Sequence, residues 1–297
     1  MSFSSEVKRE LCGIRNETSA ATCAQCHGML VLCRSFSFNK ILFQSGVREV
    51  AEHFCTLLRQ GFDVIAFVKL GGTKRPVYTV EIASLADRQR ILNKLAYKNT
   101  DPLVVDFDKI RAAGHIKEFI RGAFLAAGSL SEPEKEYRAE FSFKSNDVAA
   151  DFIGILDSKG FDFTMTYRAG KFLVYTKNST TIEEFLTYIG AGNEAFNLMG
   201  VKVYKSIRNR SNRQNNFETS NILKTANAAF AQTEAIKKLK AAGRLATLPE
   251  ELLEAATLRL NNPDMSLANL CKLSKTRLTR SGLNHRLQKL LEMAEDL

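Results

Sequence analysis

The stretch IRGAFLAAGS, residues 120–129, decides the fold of this 297-residue chain. Its pattern predicts a tight apolar helix in which the small residues Gly122, Ala126 and Ala127 fall along one side. Small side chains allow the backbone of another helix to approach closely, and Gly128 can end the helix in a left-handed conformation. The stretch therefore predicts one member of a closely packed pair of helices.

The predicted partner is CHGMLVLCRS, residues 26–35, which has Gly28 at the matching place. After each stretch, hydrophobic periodicity gives the same order of elements along residues 20–114 and 115–204. Two such helices side by side would bring two β-sheets into one saddle. The predicted fold class is α+β, a duplicated α-β-β-α-β-β-α saddle followed by an all-α domain.

Matches between the halves support this duplication. The predicted helices VREVAEHFCTLLRQGFD (47–63) and NDVAADFIGILDSKGFD (146–162) both end in Gly-Phe-Asp, and Val-Tyr-Thr recurs at 77–79 and 174–176. Two amphipathic helices share apolar positions by chance more readily than they share these three-residue sequences. We therefore interpret the repeat as an internal duplication.

Composition indicates a multidomain globular protein. The chain is 45% hydrophobic and 25% charged, and no run approaches the roughly 18 apolar residues of a membrane span. Residues 1–19 predict an amphipathic helix capped by Ser4 or Ser5 rather than a secretory signal. We therefore expect a cytoplasmic protein whose six cysteines are free thiols.

The net charge of +10 is concentrated towards the C-terminus. Residues 200–297 hold 17 Lys and Arg against 9 Asp and Glu. A basic excess in one terminal third is typical of proteins that bind the phosphate backbone of nucleic acid. The alternative interpretation is a merely solvated basic surface.

Residues 246–297 predict three helices, of which the middle one is short and the last is basic. Pro249 begins the first helix, Asn262-Pro263 ends it, and Asp264 or Ser266 caps the second. This arrangement is typical of a helix-turn-helix domain. Such a domain binds duplex DNA, so double-stranded DNA is the predicted partner.

The last of these helices, RSGLNHRLQKLLEMAEDL at residues 280–297, is predicted to be the recognition helix. Leu283, Leu287 and Leu290 face the core, which turns the polar side chains outward. Amides and hydroxyls read base edges, whereas Arg and Lys mainly anchor phosphates. The predicted base or near-base contacts are Ser281, Asn284, His285 and Gln288, and the predicted backbone contacts are Lys275, Arg277, Arg280, Arg286 and Lys289, with Ser266 and Thr279 in the same DNA-binding set.

A basic linker, residues 205–245, joins the saddle to this domain. Its first part, KSIRNRSNRQ, carries Lys205, Arg208, Arg210 and Arg213 with no acid, and suits a segment lying against a phosphate backbone. The alternative is a hinge whose charges keep it soluble. Its second part predicts a helix, capped by Thr219 or Ser220 and ended by Gly243.

Two resemblances follow from these stretches. IRGAFLAAGSLSEPEKEYRAEF (120–141) resembles a degenerate LAGLIDADG motif of homing endonucleases, and the duplicated order of elements is that fold. Together with MSFSSEVKREL (1–11), RNRSNRQNNFETSNILKTANAAFAQ (208–232) and SGLNHRLQKL (281–290), it resembles the WhiA family of bacterial regulators. The second resemblance implies a nucleoid-associated role in cell division, chromosome segregation or sporulation-type transcription, with cell-division or transcription proteins as further partners.

The nuclease positions of the LAGLIDADG motif lack acids in this chain. A homing endonuclease places one carboxylate at the end of each motif helix, and the pair holds metal ions over the scissile phosphates. Cys33 and Ala127 stand there instead, and neither can replace a hard oxygen ligand. Glu132 and Glu136, just beyond, are interpreted as solvated turn charges.

We therefore expect no enzyme activity and no cofactor. Two alternatives stay open: a residual metal-dependent nuclease, and a scaffold in which the saddle binds a ligand or protein and regulates the DNA-binding end. The sequence does not decide whether the saddle binds DNA, protein or a small ligand.

The stretch CAQCH, residues 23–27, is spelled like a c-type haem attachment signature. Haem attachment requires export and an axial-ligand environment, which the sequence does not support. Cys12, Cys23, Cys26 and His27 would supply enough ligands for zinc, but a second closely spaced cysteine pair is absent. We expect no metal here and interpret the stretch as part of the first motif helix, with zinc as the alternative.

Overall fold

The computed structural model describes residues 2–73, 75–98, 103–274 and 278–296. The chain forms two compact units, Met1–Lys205 and Ser206–Leu297. The division falls one residue from the predicted end of the saddle at 204. None of the helices formed by the described residues combines the length and the apolar character needed to cross a membrane.

Unit 1 contains the predicted repeat in the predicted order. After helix α1 (Phe3–Cys12), the first half consists of α2 (Ser19–Val31), β1 (Ser35–Phe36), β2 (Ile41–Ser45), α3 (Arg48–Phe62), β3 (Val68–Gly71), β4 (Val77–Ile82) and α4 (Leu85–Lys94), followed by α5 (Phe107–Ala112). The second half consists of α6 (Ile116–Ala127), β5 (Gly128–Leu130), β6 (Ala139–Phe143), α7 (Asn146–Asp157), β7 (Thr164–Arg168), β8 (Lys171–Thr176) and α8 (Ser179–Ile189). The duplicated α-β-β-α-β-β-α fold is confirmed.

Each half builds one four-stranded antiparallel sheet. The strand orders are β1-β2-β4-β3 and β5-β6-β8-β7, so the two sheets have the same topology. In β6, Ala139, Phe141 and Phe143 are buried, whereas Glu140 and Ser142 alternate with them on the other face. The buried face of each sheet therefore packs on helices, and the other face is open to solvent.

The two motif helices, α2 and α6, pack against each other at glycine. A Cβ on Gly28 would lie 2.8 Å from the backbone nitrogen of Ala123, and one on Gly122 would lie 2.9 Å from the carbonyl carbon of Gln25. Both distances are too short for a side chain, so the helices touch backbone to backbone. The predicted pairing of these helices is confirmed.

Several predicted element ends are wrong. Ser2, not Ser4 or Ser5, caps α1, because its hydroxyl accepts from the Ser5 backbone while Ser5 Oγ donates back to the Ser2 carbonyl. Gly128 has an extended conformation (φ −75°) and begins β5 directly, without a left-handed turn.

Glu132 is not a solvated turn charge. Its Oε1 accepts a hydrogen bond of 2.9 Å from the backbone nitrogen of Phe3, and Ser4 Oγ accepts one of 3.2 Å from Leu130. The carboxylate thus binds an otherwise unsatisfied donor in the first turn of α1, where negative charge is favoured. The N-terminal helix is attached to the second half of the repeat.

Helix α9 (Gly192–Ala241) replaces the predicted linker. It runs through residues 205–214 and past Thr219 and Ser220, so neither the non-helical segment nor the predicted cap exists. Its first turn is capped from elsewhere in unit 1, because Glu10 accepts from the backbone nitrogens of Asn193 (2.8 Å) and Glu194 (3.0 Å). The helix ends where expected, before Gly243 at φ 71°.

Unit 2 continues with a 3₁₀ turn (Arg244–Thr247), α10 (Glu250–Asn261), α11 (Leu267–Leu273) and α12 (Arg280–Glu295). The predicted start and stop of α10 at Pro249 and Asn262 are confirmed. The core of this unit also contains Ala235, Ile236 and Leu239 of α9. The helix-turn-helix domain therefore begins inside α9, before the boundary predicted at residue 246.

Candidate nucleic-acid interface

Side-chain caps position the last two helices of unit 2. Ser266 Oγ accepts from the backbone of Asn269 at 3.3 Å at the start of α11, and Thr279 Oγ1 accepts from Gly282 at 3.1 Å at the start of α12. These caps satisfy donors that a helix leaves unpaired in its first turn. Ser266, predicted both as a cap and as a DNA contact, is thus engaged as a cap.

A buried arginine that the sequence analysis did not single out anchors the same region. Arg259 on α10 is only 2% exposed. Its Nε donates to Gln232 Oε1 of α9 at 2.9 Å, and its Nη1 donates to the carbonyl of Met265 at 2.6 Å. The side chain therefore joins α9, α10 and the loop that leads into α11. An arginine within an otherwise apolar helical stripe is the sequence signal for it.

Helix α12 presents its polar residues as the sequence analysis expected. Leu283, Leu287 and Leu290 are buried in the core of unit 2. The predicted contacts with exposed side chains are Thr279, Arg280, Ser281, Asn284, His285, Gln288 and Lys289. The first two turns of α12 carry no acid, and Arg280, Ser281, Asn284 and His285 are exposed there, at the positive end of the helix dipole; Gln288 and Lys289 follow in the third turn.

Arg286 differs from the other predicted contacts on α12. Its guanidinium is paired with Glu251 (3.1 Å) and Glu254 (3.6 Å) of α10, and its side chain is 20% exposed. Arg286 therefore joins α12 to α10, which reduces what it can offer to a phosphate. Two further predicted contacts, Lys275 and Arg277, lie outside the described residues.

Helix α11 supplies polar groups that the sequence analysis missed. Asn269 and Lys272 are exposed, while Leu270 between them is fully buried. The spacing from the buried Leu270 is the signal that could have found them.

The four basic residues of the predicted linker have different surroundings. Lys205 is held within unit 1: its Nζ donates to the carbonyl of Pro133 at 2.6 Å and lies 4.7 Å from the ring centre of Tyr137. Lys205 is thus engaged within unit 1, and its contact with phosphate stays a prediction. Arg208, Arg210 and Arg213 are exposed on α9.

The nuclease positions at the ends of the motif helices hold no hard ligand. Ala127 is the last residue of α6, and Cys33 lies two residues beyond α2. Burial raises the pKa of the Cys33 thiol to about 12, and its Sγ donates to the carbonyl of Ser35 at 2.9 Å. Across residues 2–73, 75–98, 103–274 and 278–296, no three His, Cys, Asp or Glu side chains group as metal ligands. The donor set does not fit the paired metal ions of a homing endonuclease.

The open face of the sheets has mixed charge. Arg138 and Glu140 form an ion pair on β6, and the Arg138 guanidinium lies 4.4 Å from the ring centre of Tyr175. On the other sheet Glu81 is 4.0 Å from Lys40. A surface of paired charges attracts a phosphate backbone less than exposed cations such as Arg280 and Lys289 of α12 do.

The CAQCH stretch occupies the first motif helix, as interpreted. Cys26 is fully buried in the core, Cys23 Sγ donates to the carbonyl of Gly61 at 3.2 Å, and His27 Nε2 is 2.8 Å from the Tyr97 hydroxyl. Burial lowers the pKa of His27 to about 4, so the ring is neutral at neutral pH. These side chains have separate partners and do not converge as a zinc site.

His27 and Cys23 also line a cleft of about 800 Å³ in unit 1. Its walls come from α2, the end of α4, α5 and the start of α6, where Ala20, Ala24 and Ala113 leave room. Its charged lining residues are Lys94, Lys98, Lys109 and Asp106, a basic excess beside an apolar wall. Ala96, at the rim, has an unusual left-handed backbone (φ 56°).

Comparisons with known protein families agree with this division into units. The family described as "WhiA LAGLIDADG-like domain" matches residues 116–208, and "WhiA C-terminal HTH domain" matches residues 211–294. The second match begins within α9, as the core of unit 2 does.

Similar full-length proteins are also found. A protein of Clostridium acetobutylicum named "Probable cell division protein WhiA" is 34% identical, and the alignment covers 100% of this chain and 98% of the relative. A protein of Clostridium perfringens with the same name is 32% identical over the same shares of both chains.

Two solved structures share the fold. The crystal structure of full-length WhiA from Thermatoga maritima has a TM-score of 0.59 and 22% identity, covering 100% of this chain and 99% of that one. An N-terminal LAGLIDADG domain of WhiA has a TM-score of 0.51 and 18% identity, covering 64% of this chain and 92% of that one.

Proposed function

This chain belongs to the WhiA family, and we propose that it is a non-catalytic DNA-binding regulator of cell division that reads duplex DNA through α12. The carrying observation is the acid-free outward face at the start of α12, set on a buried leucine stripe. Side chains at the N-terminal end of a recognition helix contact base edges in helix-turn-helix proteins. Control of transcription, chromosome segregation or sporulation, and further protein partners, belong to the same proposal.

The roles within α12 follow from chemistry and exposure. Arg280 and Lys289 are exposed cations and would anchor phosphates, while Asn284 and Gln288 carry amides that can pair with a base edge in two hydrogen bonds. Ser281 and His285 have exposed side chains on the same face and would lie at or near the bases.

The test is duplex binding by the full-length chain. Replacing Arg280 and Lys289 together with Ala should weaken binding to every duplex and lower the salt slope by about 2. Arg244→Ala removes an exposed cation of unit 2 outside α12 and serves as the control. Equal losses in the variant and the control would contradict the role of α12.

Sequence reading is tested separately with Asn284→Ala. The variant should bind the preferred site about 5- to 100-fold more weakly, while binding to unrelated duplexes changes little. Genome-wide maps of bound DNA for the wild-type and Asn284→Ala proteins would make the same comparison in cells. Unchanged maps would mean that α12 is not the sequence reader.

The absence of catalysis is tested with plasmid DNA and Mg²⁺ or Mn²⁺. We expect no nicking, because Cys33 and Ala127 replace both carboxylates. Nicking that copurifies with the protein and stops on chelation would revive the nuclease alternative.

The cleft in unit 1 favours a second candidate function, in which a small ligand of unit 1 regulates DNA binding. Its volume lies within the range of small-molecule sites, and its apolar wall beside the exposed Lys98 suits an amphipathic anion. Lys94 is bonded to the Gly61 carbonyl and Lys109 is paired with Asp106, so they would contribute less. Anilinonaphthalene sulfonate has that chemistry and serves as the probe. The wild type should bind it, Ala24→Phe should fill the cleft and abolish binding, and equal fluorescence from both would contradict the site.

A further inference from the structure

The middle of α9 is exposed on every side. All residues from 206 to 228 are exposed, whereas further along Ala229, Gln232 and Ile236 are buried against the rest of unit 2. The exposed segment is rich in Asn, Ser and Thr, which are weaker helix formers than Ala or Leu. Isolated helices of this kind are marginal in water, so the fold itself stabilises this part of α9 little.

One face of this segment has a uniform chemistry. At roughly 100° per residue, six side chains fall within a sector of about 80°. They are Asn209, Arg213, Asn216, Ser220, Lys224 and Asn227, and between 209 and 227 the sector contains no other residue. The face extends about 27 Å along the helix, comparable with about eight base pairs of B-DNA.

Every side chain on this face can donate a hydrogen bond, and none is acidic. The one acid between residues 195 and 233 is Glu218, which accepts from Gln214 Nε2 at 3.0 Å. Glu218 lies about 140° around the helix from Arg213. Arg208 lies equally far from Arg213, on the opposite side. Two cations with amides and a hydroxyl around them match the donors that proteins direct at phosphates and groove edges.

We propose that this α9 face is a second contact with duplex DNA. Arg213 and Lys224 bind phosphates, and the amides of Asn209, Asn216 and Asn227 donate to phosphate or groove acceptors beside them. DNA thereby supplies the stabilisation that packing does not give this helix. The inference rests on the proposed function that the protein binds duplex DNA.

The cation test uses the full-length chain and a mixed-sequence duplex, with binding measured over a range of salt concentrations. Replacing Arg213 and Lys224 together with Ala should weaken binding about 10-fold or more and lower the salt slope by about 2. A matched pair of single variants separates position from charge. Arg213→Ala removes a charge from the face, and Arg208→Ala, the control, removes the same charge from another side of the helix. Arg213→Ala should weaken binding several-fold more than Arg208→Ala.

The amide test uses two adjacent asparagines. Asn216 is on the face, and Asn215 lies about 100° away from it. Replacing either with Ala raises the helix propensity, so loss of the helix cannot explain a loss of binding. Asn216→Ala should weaken binding, whereas Asn215→Ala should leave it unchanged. Equal effects within both matched pairs would overturn the proposal.

Hydrogen exchange gives a readout independent of affinity. In the wild-type protein, duplex DNA should slow amide exchange across residues 209–227, because bound DNA stabilises the helix there. Unchanged exchange in a saturated complex would overturn the proposal. The proposal would also be overturned if the variants of the α9 face weakened binding to single-stranded RNA and left binding to duplex DNA intact.

Failure of this inference differs from failure of the proposed function. If the wild type binds duplex DNA and only the α12 variants weaken it, the α9 face is not a contact while the function stands. If the wild type does not bind duplex DNA at all, the proposed function fails, and the inference fails with it.

Discussion

The two units each bury one arginine, and the surroundings of the two side chains differ. Arg121 of α6 is 3% exposed, and it donates through Nε to the carbonyl of Ile189 (2.6 Å) and through Nη1 to Asn16 Oδ1 (3.2 Å). Asn16 in turn donates to Gln25 Oε1 at 2.7 Å, and Gln25 Nε2 is 2.9 Å from His53 Nε2. Arg121 is thus one member of a network that joins both halves of the repeat.

Arg259 of unit 2 is bonded mainly to backbone carbonyls, because its Nη1 also donates to the carbonyls of Asn262 and Pro263, at 3.5 Å each. It makes short hydrogen bonds to Gln232 and Met265, at 2.9 and 2.6 Å. The described core of unit 2 consists of Ala, Ile and Leu side chains. The core of unit 1 also contains phenylalanines such as Phe141, which has a tilted contact with Phe152 and an edge-to-face contact with Phe185. Unit 2 thus has a smaller, aliphatic core, and we expect the loss of a buried side chain there to cost more of its stability.

The largest effect is expected at the motif helices, where the two halves of unit 1 touch. Gly122→Ala would place a Cβ against the backbone of α2, so the helices must separate, at a cost of about 4 kcal/mol or more in the free energy of unfolding. The control is Gly200→Ala in α9, where a Cβ would meet nothing within 4 Å. That variant should gain about 0.5–1 kcal/mol from helix propensity.

Chemical denaturation followed by circular dichroism measures both variants. A Gly122→Ala protein as stable as the wild type would show that the motif helices can move apart freely. Close packing of the motif helices would then not explain the stability that we expect of unit 1.

The next largest effect is expected at the buried arginines. Arg259→Met keeps most of the volume but leaves Gln232 and the Met265 carbonyl without a donor, which should destabilise unit 2 by about 3 kcal/mol. The matched variant Arg121→Met should cost unit 1 about 2 kcal/mol, because the rest of its network and its aromatic core persist.

Thermal unfolding, followed with one probe on α12 and a second probe in unit 1, separates the destabilisation of unit 2 from that of unit 1. Duplex affinity should fall with Arg259→Met near the unfolding temperature and stay unchanged with Arg121→Met. A larger loss from Arg121→Met than from Arg259→Met would reverse the comparison.

The smallest effect is a pH dependence confined to unit 1. Burial lowers the pKa of both His27 and His53 to about 4, below the ordinary value near 6.5. As pH falls through 6.5, the unfolded chain takes up protons that the folded unit does not. The stability of unit 1 therefore declines between about pH 6.5 and pH 4, and the full contribution of the two histidines is present above about pH 6.5. We expect a loss of roughly 1 kcal/mol between pH 7 and pH 6.

His53→Gln tests this prediction, because Gln does not titrate and can keep a hydrogen bond to Gln25. In this variant the decline in stability between pH 7 and pH 6 should be about half as large as in the wild type. The control is His285→Gln in unit 2, where the side chain is exposed. If His285→Gln reduced the dependence of stability on pH and His53→Gln did not, the assignment of this dependence to unit 1 would be contradicted.

Much of the fold could be predicted from local patterns. The duplication, the pairing of α2 with α6 and the outward residues of α12 all follow from periodicity, because the step of 100° per residue in a helix and the alternation in a strand fix which side chains share a face. The positions Cys33 and Ala127 were located differently, through the resemblance of both motif helices to the LAGLIDADG motif. The exposed donors of α12 could thus be named before any tertiary contact was known.

The errors fall where a tertiary partner changes the local preference. Residues 205–214 look like a polar linker, yet they lie within α9, whose first turn is capped by Glu10 and whose last turns pack into the core of unit 2. Lys205 and Arg286 look like phosphate contacts, yet Pro133, Tyr137, Glu251 and Glu254 engage them. Sequence distance hides these partners.

The sequence by itself therefore determined the duplicated saddle and the polar face of α12, since each depends on spacing along one element. The missing carboxylates followed from the resemblance to the LAGLIDADG motif. Only the tertiary structure decided which cations have partners inside the protein, that α9 is one helix of 50 residues, and that a cleft lies beside His27. The physical reason is that helical and strand periodicities act over a few residues. Ion pairs, buried arginines and cavities depend on residues brought together from distant parts of the chain.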